Sequence, residues 1–152
     1  MDSTAPRRVP ASQRLALIGH DRADSIAAHR DGMPITAATL VADIRRTAES
    51  LPDRRHVLNF CSDRYRFAVL LCAAIMRRQI SLLPPTTTPN VIESMREFAP
   101  DAYFVSDDPQ AQIALPRFEL PSGNAAPDTQ FAVPRIDVEQ VVACIFTSGS
   151  TG

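Results

Sequence analysis

Thr147, Ser148, Gly149, Ser150, Thr151 and Gly152 carry no bulky side chain, and they follow directly on an apolar run over residues 141–146. In a turn of this composition the backbone N–H groups can approach an anion without Cβ obstruction, and the hydroxyls of Thr147, Ser148, Ser150 and Thr151 add donors. Such a donor set cradles phosphate. The Walker pattern is excluded, because Gly149 lacks the spaced second glycine and the chain contains no lysine. The nucleophile elbow G-x-S-x-G fails because Gly149 and Gly152 lie too close together. A flavodoxin-like phosphate loop shares these residue types but opens a strand–helix unit and needs a helix after it. Residue types and spacing point these six to binding, and no catalytic residue is assigned.

Other reactive side chains form no comparable constellation. Cys61, Cys72 and Cys144 are irregularly spaced, offer no C-x-x-C pair and read as buried thiols of a reducing compartment. His20, His29 and His56 have no partner one helical turn away, so no metal site is assigned. Asp107-Asp108 reads as a solvated turn after a strand rather than an acid pair.

The 152 residues, 45% hydrophobic and 22% charged, suit one globular domain. All sixteen basic residues are arginine and the formal net charge is −1. Arg7-Arg8, Arg45-Arg46, Arg54-Arg55 and Arg77-Arg78 therefore read as solvated helix ends and loops, not as a polyanion-binding surface, and no nucleic-acid partner is expected. The longest apolar run, residues 67–76, falls short of a membrane span, and the polar opening "MDSTAPRRVPASQR" is no signal peptide. A cytoplasmic location is expected.

The elements that must position the terminal loop are marked by their ends. Residues 1–13 read as disordered and residues 14–152 as a single partial domain, with residues 14–18 beginning a short helix before Gly19. Asp31-Gly32 lies between two apolar pieces, residues 26–29 and 33–35, as in a tight hairpin. Thr36 caps a helix whose apolar positions Leu40, Val41, Ile44, Ala48 and Leu51 recur at helical spacing up to Pro52. Residues 57–61 form a strand covered on both faces, Ser62 or Asp63 caps a deeply set helix over residues 64–78, and residues 80–83 form the next strand before Pro84-Pro85. Thr88-Pro89 opens a third helix, ended by Pro100, and residues 102–105 form a third strand. Proline interrupts residues 107–140 too often for a long helix; residues 113–115 or 118–120 could be edge strands. Strand, helix, strand, helix, strand with short joints is the pattern of a parallel sheet with right-handed crossovers, an α/β layer.

"FTSGSTG" resembles the first half of the signature loop of the adenylate-forming superfamily, the acyl- and aryl-CoA synthetases, AMP-ligases and adenylation domains, in which a Pro-Lys-Gly stretch follows. Upstream, "GMPITAATLVADI", "VLNFCSDRYRFAVLLCAAIMRRQISLLPP" and "PDAYFVSDD" are similar to the family's early strand and helix, its strand–helix–strand–proline segment and the strand before its variable loop. The resemblance covers about residues 20–152. It implies the three-layer parallel-sheet portion of the family's large N-terminal domain, incomplete and truncated inside the phosphate loop.

The implied activity is that of an ATP-dependent acid:thiol ligase. A carboxylic acid attacks ATP to give acyl-AMP, and the thiol of CoA or of carrier-protein phosphopantetheine then takes the acyl group, with Mg²⁺ accompanying the nucleotide. On this resemblance Thr147 to Gly152 bind the β- and γ-phosphates. The family's loop lysine, its later nucleotide and Mg²⁺ motifs and its C-terminal domain are not among these residues, so the 152-residue chain alone is expected to be inactive. The alternative is a non-catalytic α/β remnant or interaction module. Which acid would be activated is not written in these residues.

Overall fold

The computed structural model describes residues 13–127 and 130–147. Its chain order is β1 (Arg14–Ala16), β2 (Ile26–Arg30), β3 (Met33–Thr36), α1 (Ala37–Ser50), β4 (His56–Asn59), α2 (Arg64–Met76), β5 (Ile80–Leu83), α3 (Pro89–Phe98), β6 (Tyr103–Val105), β7 (Arg135–Asp137) and β8 (Ala143–Ile145). The central sheet is parallel, in the order β6-β4-β5-β8. β2 and β3 form an antiparallel hairpin whose turn residues, Asp31 at φ 52° and Gly32 at φ 77°, both take the left-handed conformation that matches strand twist.

The two faces of the sheet are buried by different layers. The chain passes from β4 to β5 in one direction and from β5 back past β4 to β6 in the other. Right-handed crossovers therefore place α2 and α3 on opposite faces. Val57, Tyr103 and Val105 on one face pack with Val69, Leu70 and Ala73 of α2 and with Ile44 and Ala48 of α1. Leu58, Ile80, Leu82 and Phe104 on the other face pack with Ile92 and Met95 of α3 and with Ala99. Alternate residues of each strand thus enter separate cores, as a sheet covered on both sides requires. This is the parallel α/β layer that the strand and helix signals imply, in the three-layer form that the resemblance implies.

Local chemistry sets the element ends. The Thr36 hydroxyl accepts from Thr39 N, and the Asp63 carboxylate accepts from Arg66 N, each closing an orphan donor of its helix. α2 stops two residues before the expected end at residue 78, because Arg78 turns to φ 57° and donates its N–H to Ile75 O.

Four expectations fail. Residues 14–16 are not the start of a helix but strand β1, paired antiparallel with β7. β7 itself lies inside the stretch read as irregular. Of the possible edge strands at 113–115 and 118–120, only a single bridge forms, between Arg117 and Phe104. Nor are Arg45 and Arg46 solvated: both are half-buried, and they donate to the carbonyls of Ala132 and Gly123, strapping the proline-rich stretch to α1.

Candidate functional site

In an open parallel sheet, ligands collect outside the carboxyl ends of the strands, where successive connections leave toward opposite faces. Here that point lies between β4, whose chain departs to α2, and β5, whose chain departs to α3. Beside that point, at the carboxyl ends of β4 and β6, Phe60, Cys61, Ser62, Ser106 and Asp107 line a cleft of about 560 Å³, with Thr87 reaching it from the β5–α3 connection.

Asp107 organises the cleft. Its carboxylate accepts from Ser62 N at 2.9 Å, Ser62 Oγ at 3.0 Å and Asp63 N at 2.7 Å, tying the end of β6 to the start of α2. Burial opposes the charge on Asp107, yet the donors from Ser62 and Asp63 prevail and hold the carboxyl below its usual range. Asp63 is likewise held low, first by the Arg66 N–H and further by the Arg30 guanidinium 3.0 Å away. Asp107-Asp108 is therefore neither an acid pair nor a merely solvated turn. Asp108 accepts from Gln110 N in a local turn, while Asp107 is a structural anchor.

Cys61 faces this cleft, but burial, with the Asp107 charge adding to it, pushes the thiol up to about 11. It stays protonated at neutral pH and is no nucleophile. Next to it, the threonines between β5 and α3 supply hydroxyls at the same edge, with Thr86 Oγ1 and Thr88 Oγ1 3.3 Å apart. From sequence, Thr88 and Ser62 read only as helix caps and Asp107 only as a turn residue, so neither the threonine run nor the Ser62–Asp107 pair is marked as part of a site. The usable signal is positional, since each follows directly on a strand of the parallel sheet.

The residues expected to bind phosphate follow β8 in the chain. Phe146 N donates to Leu83 O at 3.1 Å, so the ladder with β5 continues to the threshold of the loop, and Thr147 follows, exposed, at the carboxyl edge. Ser148, Gly149, Ser150, Thr151 and Gly152 lie outside the described residues. Thr147 does not line the Asp107 cleft; β5 and its threonines stand between the two. Among the described residues no group of three or more His, Cys, Asp or Glu is placed to hold a metal ion, and no helix is long and apolar enough to cross a membrane.

No protein-family profile and no curated protein matches the sequence. Solved structures do match. A malonyl-CoA ligase in a ternary product complex with methylmalonyl-CoA and AMP aligns with a TM-score of 0.62 at 20% identity, over 90% of this chain and 30% of that one. The N-terminal subdomain of Klebsiella oxytoca NpsA, in complex with 3-hydroxybenzoyl-AMSN, aligns with a TM-score of 0.61 at 17% identity, over 85% of this chain and 35% of that one. The amide bond synthetase McbA from Marinactinospora thermotolerans aligns with a TM-score of 0.55 at 21% identity, over 83% of this chain and 30% of that one. The chain spans about a third of the length of these structures. Its parallel sheet and flanking helices are the α/β fold of the N-terminal subdomain of adenylate-forming enzymes.

Proposed function

We propose that these residues are the opening part of an ATP-dependent carboxylic acid-activating enzyme, and that Thr147 to Gly152 begin the loop that wraps the nucleotide's β- and γ-phosphates. The observation that carries this reading is the placement of Thr147. β8 pairs with β5 up to Phe146, and Thr147, the first residue of the Ser/Thr/Gly segment, follows it at the carboxyl edge of the sheet. Neighbours of the same fold carry AMP with methylmalonyl-CoA, or 3-hydroxybenzoyl-AMSN.

The donor set fits a phosphate in kind. Four hydroxyls and two glycines supply neutral donors and close backbone approach, and no lysine supplies a counter-charge. Within the whole enzyme the carboxylate of the substrate attacks the α-phosphorus of ATP, the bond to the bridging oxygen breaks, and pyrophosphate leaves. A thiol, of CoA or of a carrier protein, then displaces AMP from the acyl carbon. These residues contribute orientation to that sequence, with Mg²⁺ arriving on the nucleotide's own phosphates.

Fixing each loop residue costs roughly 1–2 kcal/mol, and neutral donors in open solvent recover little of it. The 152-residue chain is therefore expected to bind ATP only at millimolar concentration, with amide shifts centred on Thr147 to Gly152, and to catalyse no acid-dependent exchange of pyrophosphate into ATP. ATP-induced shifts elsewhere and none in this loop would refute the site. The competing reading, a non-catalytic α/β module, is separated by the reading frame beyond codon 152. A lysine-bearing continuation of the loop supports the enzyme, whereas unrelated sequence before a genuine stop supports the module.

A further inference from the structure

A second cavity, sharing no residue with the carboxyl-edge cleft, lies where α1, the first turns of α2 and residues 120–124 meet. It measures about 70 Å³, space for a few waters or one small polyatomic ion rather than a nucleoside. Three arginines, Arg30, Arg46 and Arg66, line it against a single carboxylate, Asp43.

The charges around it are unevenly spent. Both oxygens of Asp43 are engaged, Oδ2 accepting from Tyr65 Oη at 2.7 Å and Oδ1 from Ala125 N at 2.5 Å. Arg30 is fixed by its 3.0 Å ion pair with Asp63 and by the Tyr65 ring, whose centroid lies 5.6 Å from its guanidinium carbon. Arg46 donates Nη2 to the Gly123 carbonyl, but its Nε is shut from solvent and makes no hydrogen bond among the described residues. The guanidinium of Arg66 makes no ion pair or side-chain hydrogen bond among the described residues. Among the described residues the fold therefore holds two guanidinium groups at one small cavity with no carboxylate paired to either, one of them with an orphaned buried donor. Buried donors are ordinarily satisfied, and a guanidinium fork matches the paired oxygens of an oxyanion.

From this we infer that the α1–α2 cavity is a binding site for a small oxyanion, a phosphate or carboxylate group, held by Arg46 and Arg66 with Arg30 behind them. The site is independent of the phosphate loop. Asp43 serves to position Tyr65 at its wall and to hold the 125 amide next to the lining residue Asn124, and is not itself a ligand.

The test is NMR titration of the whole 152-residue chain with inorganic phosphate and, separately, with acetate, against sodium chloride at matched ionic strength. Saturable shifts of the Arg46 Nε–H and the Ala125 amide are expected. Arg66→Gln, which breaks no side-chain hydrogen bond or ion pair among the described residues, is expected to weaken binding about tenfold, the loss of one charge-assisted hydrogen bond. Arg96→Gln, on α3, is expected to leave it unchanged. Binding of phosphate alone assigns a phosphate group, of acetate alone a carboxylate, and of both the shared class. No saturable shift with either, an equal response to chloride, or full binding in Arg66→Gln overturns the inference. Because these reporters lie outside Thr147 to Gly152, failure here and failure of the proposed nucleotide loop are read separately.

Discussion

Asp107 does for α2, from the neighbouring strand, what Asp63 does from within. Three donors converge on its carboxylate, two of them backbone N–H groups just ahead of the helix, and a negative charge there also complements the helix dipole. Asp107→Asn removes the charge and replaces one acceptor oxygen with a donor facing a donor. It is expected to lower stability by about 1–2 kcal/mol. Since the folded pKa of Asp107 lies below its unfolded value, as do those of Asp63 and Asp101, the stabilisation is fully present above the ordinary carboxylate value of about 3.9 and is lost as pH falls through the folded values. Urea midpoints should therefore hold from neutral pH down to about pH 4 and then fall, more gently in Asp107→Asn. An unchanged midpoint in the variant at neutral pH would show that the hydrogen bonds contribute nothing net.

At the scale of elements, caps that look equivalent in sequence are not equivalent in the fold. Thr36 and Thr88 both precede helices, but only Thr36 accepts from its helix; Thr88 makes no side-chain cap bond, and Pro89 at the first helical position removes one donor in any case. Thr36→Ala is expected to cost about 1 kcal/mol and Thr88→Ala close to nothing, by chemical denaturation. Equal losses would mean that capping is not what separates them. The same contrast shows how far the sequence could be read. The hairpin at Asp31-Gly32, the helix opened by Thr36 and the alternation from His56 to Val105 are local signals, and the parallel sheet follows from their order. β1 was misread because three residues are too few for periodicity, and their partner β7 is a distant segment. The Asp107 bonds to Ser62 and Asp63 depend on the register of β6 against β4, and the arginine straps end on carbonyls, which any residue has. Tertiary pairing of that kind leaves no mark in composition.

For the molecule as a whole, burial is lopsided. Every residue of β6 is buried, whereas on β8, at the other edge, Ile145 is 76% exposed and nearby Val141 is 57% exposed. Ile145 and Ala143 lie on the same face as Ser81 and Leu83, the face that α2 covers over β4 and β5 but not out to β8 among the described residues. A parallel strand is ordinarily covered on both faces, and β8 also presents its outer N–H and C=O groups, for among the described residues it pairs only with β5. No charge within β8 guards this edge. The isolated chain is therefore expected to self-associate through β8, edge to edge, with Ile145 at the contact. Ile145→Lys removes one apolar contact from each of two copies, roughly 3 kcal/mol or more in all, and should weaken association at least about a hundredfold. Because the side chain is already mostly exposed, the folded stability should scarcely change. Met33→Lys, 67% exposed on the separate hairpin, is the matched control. Sedimentation velocity across a concentration series decides the matter. A chain that stays monomeric throughout, or an association that both substitutions weaken alike, would rule out β8 as the interface. If β8 is the interface, copies meet beside the start of the Ser/Thr/Gly segment. Ile145→Lys is then also the form in which ATP titrations report on Thr147 to Gly152 without competition from a second copy.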